Sequence, residues 1–255
     1  MGHKYFDKQN TNFSKKTESD ISKRFFVPNV QIGTNRIFGE EHNHIANVMR
    51  MRAGEEVILI CNDDFDYFAK ILEVKRDETI VNVFKKEQNM ANPNAKCTAF
   101  VAMNKREPFS LIVRMLSELG VANFVPIITK YTLPQDTTDK IERYQKIADQ
   151  SAKQCRRSKT MKVELPQKLA DACKSFSNFD KVFFAYECEK QNTLSCQQNL
   201  QNFAFLIGPV AGFDDAEAQL ITESGAEPIT LGKRILKADT ACVCMASILM
   251  NMFDK

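Results

Sequence analysis

Tryptophan is absent from the 255 residues, histidine occurs three times and glycine nine times. His42 and His44 stand two apart with no Cys or Asp set around them, so no metal site is expected. The glycines form no G-x-G-x-x-G and no G-x-x-x-x-G-K-[ST], which excludes both standard phosphate cradles. They form no G-x-S-x-G nucleophile elbow either. No apolar run approaches the roughly 18 residues of a membrane span. The opening MGHKYFDKQNTNFSKKTESD lacks the apolar centre of a secretory signal. A cytoplasmic protein with no membrane partner is expected. Neither charge sign dominates: Lys+Arg 35 against Asp+Glu 32 leaves net +3, so a basic surface must be argued from local clusters. Eight cysteines occur without a C-x-x-C, and Cys97, Cys155, Cys173, Cys242 and Cys244 lie in apolar or helical stretches, which reads as reduced thiols rather than disulfides.

Three stretches differ in pattern. Residues 1–23 are polar and read as a mobile N-terminal extension. Residues 24–90 read as mainly β: RFFVP, EVILIC, YFAKILEV and TIVNVF are strand-like, with one helical stretch at EEHNHIANVMRM. Short strands at this spacing suggest a small barrel, and QNMANPNAK over 88–96 suggests a linker. Residues 91–255 alternate. CTAFVAM, FVPII, KVFFAY, FAFLIG and PITL read as strands. FSLIVRMLSELG, IERYQKIADQSAKQC, DDAEAQLITESG and ADTACVCMASILMNM read as helices, with Gly120 and Gly225 as C-caps. Such alternation predicts an α/β domain with a mostly parallel sheet. The last helix carries only Asp239, Thr240, Ser247 and Asn251 as polar residues from Ala238 to Met252, so it must be covered on most sides. A subunit interface is expected there, with Met245 and Leu249 as contact residues; burial within one chain is the other reading.

Two glycine-containing loops follow strand-like runs: Leu206-Ile207-Gly208-Pro209-Val210-Ala211-Gly212-Phe213 and Thr230-Leu231-Gly232-Lys233-Arg234-Ile235-Leu236. Ligands of open α/β sheets sit beyond the carboxyl ends of strands. Glycine allows close backbone approach. Without a phosphate fingerprint, a nucleoside of little negative charge suits these loops. The segment KQCRRSKTMK, residues 153–162, holds five basic residues and no acidic one, which suits phosphate contact.

Six ordered motifs then resemble one family. RFFV at 24–27 resembles its start, and His44 with Val48-Met49-Arg50-Met51-Arg52-Ala53-Gly54-Glu55 its HxxxVLRxxxGD segment. Lys105 followed by Ser117-Glu118-Leu119-Gly120-Val121 resembles K…ELGV, and Ala152 to Arg157 resembles AxxQxxR. Gly208-Pro209, Gly212-Phe213 and Glu217 resemble GPEGGFxxxE, and Leu231 to Leu236 with Asp239-Thr240-Ala241 resembles LGxRILRxETA. The chain thus resembles the RsmE family of SPOUT methyltransferases, which modify N3 of a uridine in small-subunit (16S) ribosomal RNA. The resemblance implies a SPOUT α/β trefoil-knot domain preceded by a small PUA-like β-barrel, S-adenosylmethionine as cofactor, 16S rRNA or the small ribosomal subunit as partner, and a homodimer. It implies Ile207, Gly208, Pro209, Gly212, Leu231, Gly232, Ile235 and Leu236 as cofactor-binding residues, with Ile207, Leu231, Ile235 and Leu236 against adenine. It implies Arg24, Arg50, Arg52, Lys105, Arg156 and Arg157 as RNA-binding residues. Methyl transfer to N3 needs a deprotonated uracil and a cation beside O2 or O4, for which Arg234 or Lys237 are the candidates; no base is evident. The family's Glu in the first loop is Val210 here, its next Gly is Ala211, its second Arg is Lys237, its Glu is Asp239, and an Arg after FVPII is Tyr131. These departures keep a second reading open, a non-catalytic or diverged RNA-binding or ribosome-assembly protein.

Overall fold

The computed structural model describes residues 23–102, 109–132, 138–194 and 199–254. The expected extension over 1–23 lies outside them but for its last residue. The chain divides into two compact units: one runs to Leu59 and takes in Tyr67–Lys86, the other comprises Ile60–Asp66 and Glu87–Lys255.

The first unit is built on a five-stranded sheet. Its strands are β1 (Arg24–Phe26), β2 (Gly33–Ile37), β3 (Glu56–Ile60), β4 (Phe65–Val74) and β5 (Thr79–Gln88), in the order β1-β3-β4-β5-β2. Four of these strands follow the apolar runs, which bury Phe25, Val57, Leu59, Ile71, Val81 and Val83. β2, Gly-Thr-Asn-Arg-Ile, has no such run and was not expected. Backbone pairing makes it: it runs antiparallel to β5, from Gly33 opposite Val83 to Ile37 opposite Thr79. Asn35 fixes its entry, donating from Nδ2 to Gln31 O at 2.7 Å and Gly33 O at 2.9 Å. The expected helix is short and irregular: α1 (Gly39–Asn43) passes into a π-helical turn over His44–Val48. His42 is buried there, its ring nitrogens 2.8 Å from Thr79 Oγ1 and 3.1 Å from Arg76 O, a satisfied structural histidine.

The second unit is the α/β domain. Its sheet contains β6 (Lys96–Ala102), β7 (Asn123–Ile128), β8 (Lys162–Val163), β9 (Gln167–Lys168), β10 (Lys181–Ala185), β11 (Asn202–Ile207) and β12 (Ala226–Ile229). The order is β12-β10-β11-β6-β7-β8, with β9 also on β7, and every pair is parallel. Successive side chains of a strand point to opposite faces. Phe203, Phe205 and Ile207 accordingly join a core with α2 (Phe109–Glu118), α3 (Thr138–Gln154) and α6 (Ala238–Phe253), while Ala204 and Leu206 join a second core with α4 (Leu169–Lys174) and α5 (Asp215–Glu223). β8, β9 and α4 were not expected; two-residue strands and a six-residue helix carry too little periodicity to read.

α2 closes as expected at Gly120, whose φ is +96°. Val121 N donates to Leu116 O at 3.0 Å and Gly120 N to Ser117 O at 3.2 Å, the paired bonds of a Schellman cap. The stretch expected as a linker is a clasp. Asn89 is buried and donates from Nδ2 to Asp66 Oδ1 and Arg156 O, both at 2.8 Å. Asn92 donates to Ser158 Oγ at 2.7 Å and accepts from Ser158 N and Lys159 N at 3.1 Å. Asparagine reads as turn-forming in sequence; here both asparagines act as cross-links between distant segments.

α6 corrects an expectation. Met245 and Leu249 are fully buried inside their own chain, in the core with β6 and β11, along with Ala241, Cys242, Ala246 and Phe253. They recur at helical spacing on the sheet-facing side, so they are unavailable to a partner. The outer side presents Thr240, Cys244, Ser247, Ile248 and Asn251.

Candidate active site

Parallel strands put all their carboxyl ends at one edge of the sheet. The register makes these ends nearly level: Ile207 of β11 lies opposite Val101 of β6, Phe184 of β10 opposite Leu206, and Ala185 opposite Ile229 of β12. The loops after β10, β11 and β12 therefore meet at this edge. From β6 the chain moves outward to β7 and β8, then returns to place β11 on the other side of β6. The edge beside β6 and β11 is thus a topological switch point, where open α/β sheets bind ligands.

The first glycine loop is shaped by its backbone. Ile207 and Pro209 are buried, Gly208 is half-buried, and Val210 and Ala211 are exposed. A Cβ on Gly208 would lie 3.1 Å from the Phe213 ring. Gly212 has φ +75°, and its N–H closes the turn onto Pro209 O at 2.9 Å. A Cβ there would overlap the Glu187 carboxylate, which would have to move, and the positive φ favours glycine in any case. Ala211 is not among the positive-φ residues, so its extra methyl costs the loop no strain.

The loop leads into a fully capped helix. Asp214 Oδ1 accepts from Glu217 N at 2.8 Å, and Glu217 Oε2 accepts from Asp214 N at 3.2 Å, the two halves of a capping box on α5. Both acids also hold the loop after β7: Lys130 N donates to Glu217 Oε1 and Lys130 Nζ to Asp214 Oδ2, each at 2.7 Å. Lys130 depresses the Asp214 carboxyl below its ordinary value and is itself raised by Asp214. Glu217, noticed in sequence only as part of a motif, is thus a brace between two loops.

The second glycine loop is more open. Gly232 has φ +109°, and a Cβ on it would meet nothing within 4 Å. Thr230 Oγ1 lies 3.2 Å from both Gly232 N and Gly232 O. Leu231 and Leu236 rest partly on the core, whereas Ile235 is 91% exposed. Arg234 and Lys237 are exposed, Lys237 at the N-cap of α6. The loop after β10 completes the edge: Asn192 donates to Glu227 Oε1 at 2.9 Å and Pro228 O at 2.8 Å, and Thr230 N donates to Asn192 O at 2.8 Å. Glu187 and Asn192 were missed in sequence, where no spacing or pattern marks them, and Thr230 was noted only as the start of the second glycine loop.

The expected RNA contacts divide. In the first unit Arg24 is half-buried, while Arg50, with φ +51°, and Arg52 are exposed. Lys105 lies outside the described residues. In the second unit Arg156 is exposed at φ +69°. Arg157 is a correction: it is 3% exposed and donates from Nη1 to Ser117 O at 2.8 Å and Val121 O at 3.3 Å. Its guanidinium binds the carbonyls at the end of α2, where the helix dipole favours a cation. It cannot reach a phosphate, and burial lowers its pKa. Two of the motifs quoted above, around Ser117 and Arg157, are therefore a structural lock between α2 and α3. Among the described residues no three His, Cys, Asp or Glu side chains form a metal-binding group, and no helix is long and apolar enough to cross a membrane.

Two family models match the chain: an RNA methyltransferase domain over residues 91–250 and an RNA methyltransferase PUA domain over 39–84. The chain is similar to ribosomal RNA small subunit methyltransferase E of Mesomycoplasma hyopneumoniae, with 30% identity over 86% of this chain and 95% of the relative. It is similar to the protein of that name from Bacillus subtilis, with 28% identity over 82% of this chain and 86% of the relative. Among solved structures, a putative methyltransferase from Legionella pneumophila in complex with SAM superposes with a TM-score of 0.82 at 24% identity, covering 90% of this chain and 97% of that one. Ribosomal RNA small subunit methyltransferase E from Neisseria gonorrhoeae, bound to S-adenosyl methionine, superposes with a TM-score of 0.82 at 20% identity, covering 91% and 98%. The structural likeness establishes the fold, a SPOUT-type α/β domain with a PUA-like unit before it.

Proposed function

The chain belongs to the RNA methyltransferase family that includes ribosomal RNA small subunit methyltransferase E, and from that premise we propose that it methylates N3 of a uridine in 16S ribosomal RNA, using S-adenosylmethionine. The observation that carries this reading is the pair of glycine loops at the switch-point edge, one on each side of the loop after β10. The residues fit the methyl donor. Space is open above the Gly232 backbone, Gly212 meets the end of the exposed Glu187 side chain, and Ile235, 91% exposed, stands out of its loop as an apolar surface. Ile207, Gly208, Pro209, Gly212, Leu231, Gly232, Ile235 and Leu236 are the proposed contacts. When bound, the donor supplies an electrophilic methyl group on a sulfonium.

The chain's own residues then have three tasks. The loops hold the donor by backbone shape. The target uridine leaves its stack so that its Watson–Crick edge reaches the site. Arg234 or Lys237 sets a cation beside O2 or O4 of the uracil, favouring loss of the N3 proton to solvent water and stabilising the anion that attacks. Both side chains are exposed at the mouth of the second loop, free to meet a substrate. Arg50, Arg52 and Arg156 serve the RNA backbone. The remaining parts of the proposal are a division into domains at residues 24–90 and 91–255, a cytoplasmic location with the ribosomal substrate, a knotted path through the glycine loops, and a homodimer through the outer side of α6, where Ile248 is 41% exposed.

Mass spectrometry of 16S rRNA nucleosides from a deletion strain tests the reaction. Loss of one N3-methyluridine, restored by the purified protein and S-adenosylmethionine, is expected. An unchanged N3-methyluridine content overturns the assignment.

A further inference from the structure

The turn after β10 carries a carboxylate that the reaction described above leaves unused. Tyr186 N donates to Ile229 O at 3.0 Å and Glu189 N to Tyr186 O at 3.1 Å. Glu189 Oε1 accepts from Gln191 N at 2.8 Å and from Asn192 N at 3.0 Å. With Asn192 bound to β12 and Thr230 bound to Asn192, the turn is fixed at both ends. Glu187 is its second residue. Its side chain lies across the first glycine loop, with Cδ 3.0 Å from where a Gly212 Cβ would stand.

Four neighbouring acids already have partners. Glu189 holds the turn amides, Glu227 holds Asn192 and Lys181, and Asp214 and Glu217 hold Lys130 and each other. The Glu187 carboxylate has no hydrogen-bond partner among the described residues; only its backbone carbonyl accepts, from Lys190 Nζ at 2.6 Å. The loop it lies on offers no acid of its own at position 210, which is valine. A carboxylate held against the loop backbone, on a turn fixed at both ends and without a cation among the described residues, is arranged to receive one.

We propose that Glu187 binds the positively charged end of the methyl donor, its α-ammonium or its sulfonium, above Gly212. The inference rests on the donor-binding reading of this edge. It also gives Gly212 a second reason to be glycine: any side chain would displace the carboxylate as well as strain the backbone at φ +75°.

Titration calorimetry on the full chain tests it, comparing wild type with Glu187→Gln for S-adenosylmethionine and for S-adenosylhomocysteine, which keeps the ammonium but lacks the sulfonium charge. The variant should bind S-adenosylmethionine roughly tenfold more weakly, the scale of one charge-assisted hydrogen bond. Its melting temperature without ligand should match wild type, because no protein hydrogen bond is lost. An equal loss for S-adenosylhomocysteine identifies the ammonium as the partner; unchanged affinity for it identifies the sulfonium. Wild-type affinity for both ligands overturns the proposal. Weaker binding accompanied by a lower ligand-free melting temperature overturns it too, making Glu187 a brace. A wild type that binds neither ligand removes the reading of the edge itself rather than the role of Glu187.

Discussion

Arg156 and Arg157 are adjacent, equally basic and physically opposite. Arg156 occupies the left-handed position that ends α3: Arg157 N donates to Ala152 O at 2.9 Å and Arg156 N to Lys153 O at 3.3 Å, the bonds of a Schellman cap that usually takes glycine. Arg156→Gly should raise stability by about 1 kcal/mol, the cost of the left-handed region for an L-residue, as measured by urea denaturation. Arg157→Glu should instead lower it by about 3 kcal/mol or more, since it places an unpaired carboxylate among the carbonyls that end α2. If Arg157→Glu melted like wild type and lost only RNA binding, the buried lock would be wrong. Ile235 supplies the complementary case. At 91% exposure it contributes little to folding, so Ile235→Glu should leave the melt unchanged and weaken S-adenosylmethionine binding roughly tenfold by calorimetry. It is a cleaner probe than a substitution at Gly232, where φ +109° would strain any side chain whatever the ligand does.

Among the elements, α5 and α6 show how local chemistry sets the edge. The carboxyl of Asp214 is depressed by the Lys130 ammonium and by the amides it caps. A depressed carboxylate contributes stability that is present above its unfolded pKa and is lost as pH falls through its folded value. Wild type should therefore lose melting temperature as pH drops below about 4, near the unfolded Asp value. Asp214→Asn should show a shallower fall over that range, and a smaller difference from wild type at high salt because the pair is solvent-screened. Parallel pH profiles for the two proteins would remove the role of this carboxylate. On α6 the two sides predict different failures. Met245→Lys puts a charge in the core and should give unfolded or insoluble protein. Ile248→Lys should remain folded and, if the outer side joins two copies, run as a monomer by light scattering. A dimer that survives Ile248→Lys places the interface elsewhere.

For the molecule as a whole, the division of labour between its two units can be measured. Arg50 and Arg52 project from the first unit just after its π-helical turn, away from the glycine loops in sequence. Reversing both to Glu should weaken rRNA binding and reduce the slope of log affinity against log salt by roughly 1–2, as expected when one or two phosphate contacts are lost. S-adenosylmethionine affinity should stay within a few-fold. If cofactor binding collapses while RNA binding holds, the first unit does not serve the RNA.

The sequence alone determined the parts that local periodicity and glycine chemistry control. Runs such as FAFLIG over 203–208 could only be buried strands, Gly120 and Gly225 could only end helices cheaply, and the two glycine loops had to follow strands. Ordered motifs then sufficed to indicate the family. What tertiary structure decided were the matters of which side and which partner. α6 is apolar nearly all round, so nothing in its sequence says that Met245 and Leu249 face the chain's own sheet. β2 carries no pattern and exists because β5 offers it a ladder of hydrogen bonds. Basic residues look alike in a string, but burial makes Arg157 a helix cap and exposure leaves Arg156 for solvent or RNA. Glu187 lies twenty-five residues from Gly212 with no motif to join them, and only the parallel register of β10 and β11 brings that carboxylate onto the loop. Periodicity is a property of neighbours along the chain, whereas a site is made of neighbours across it.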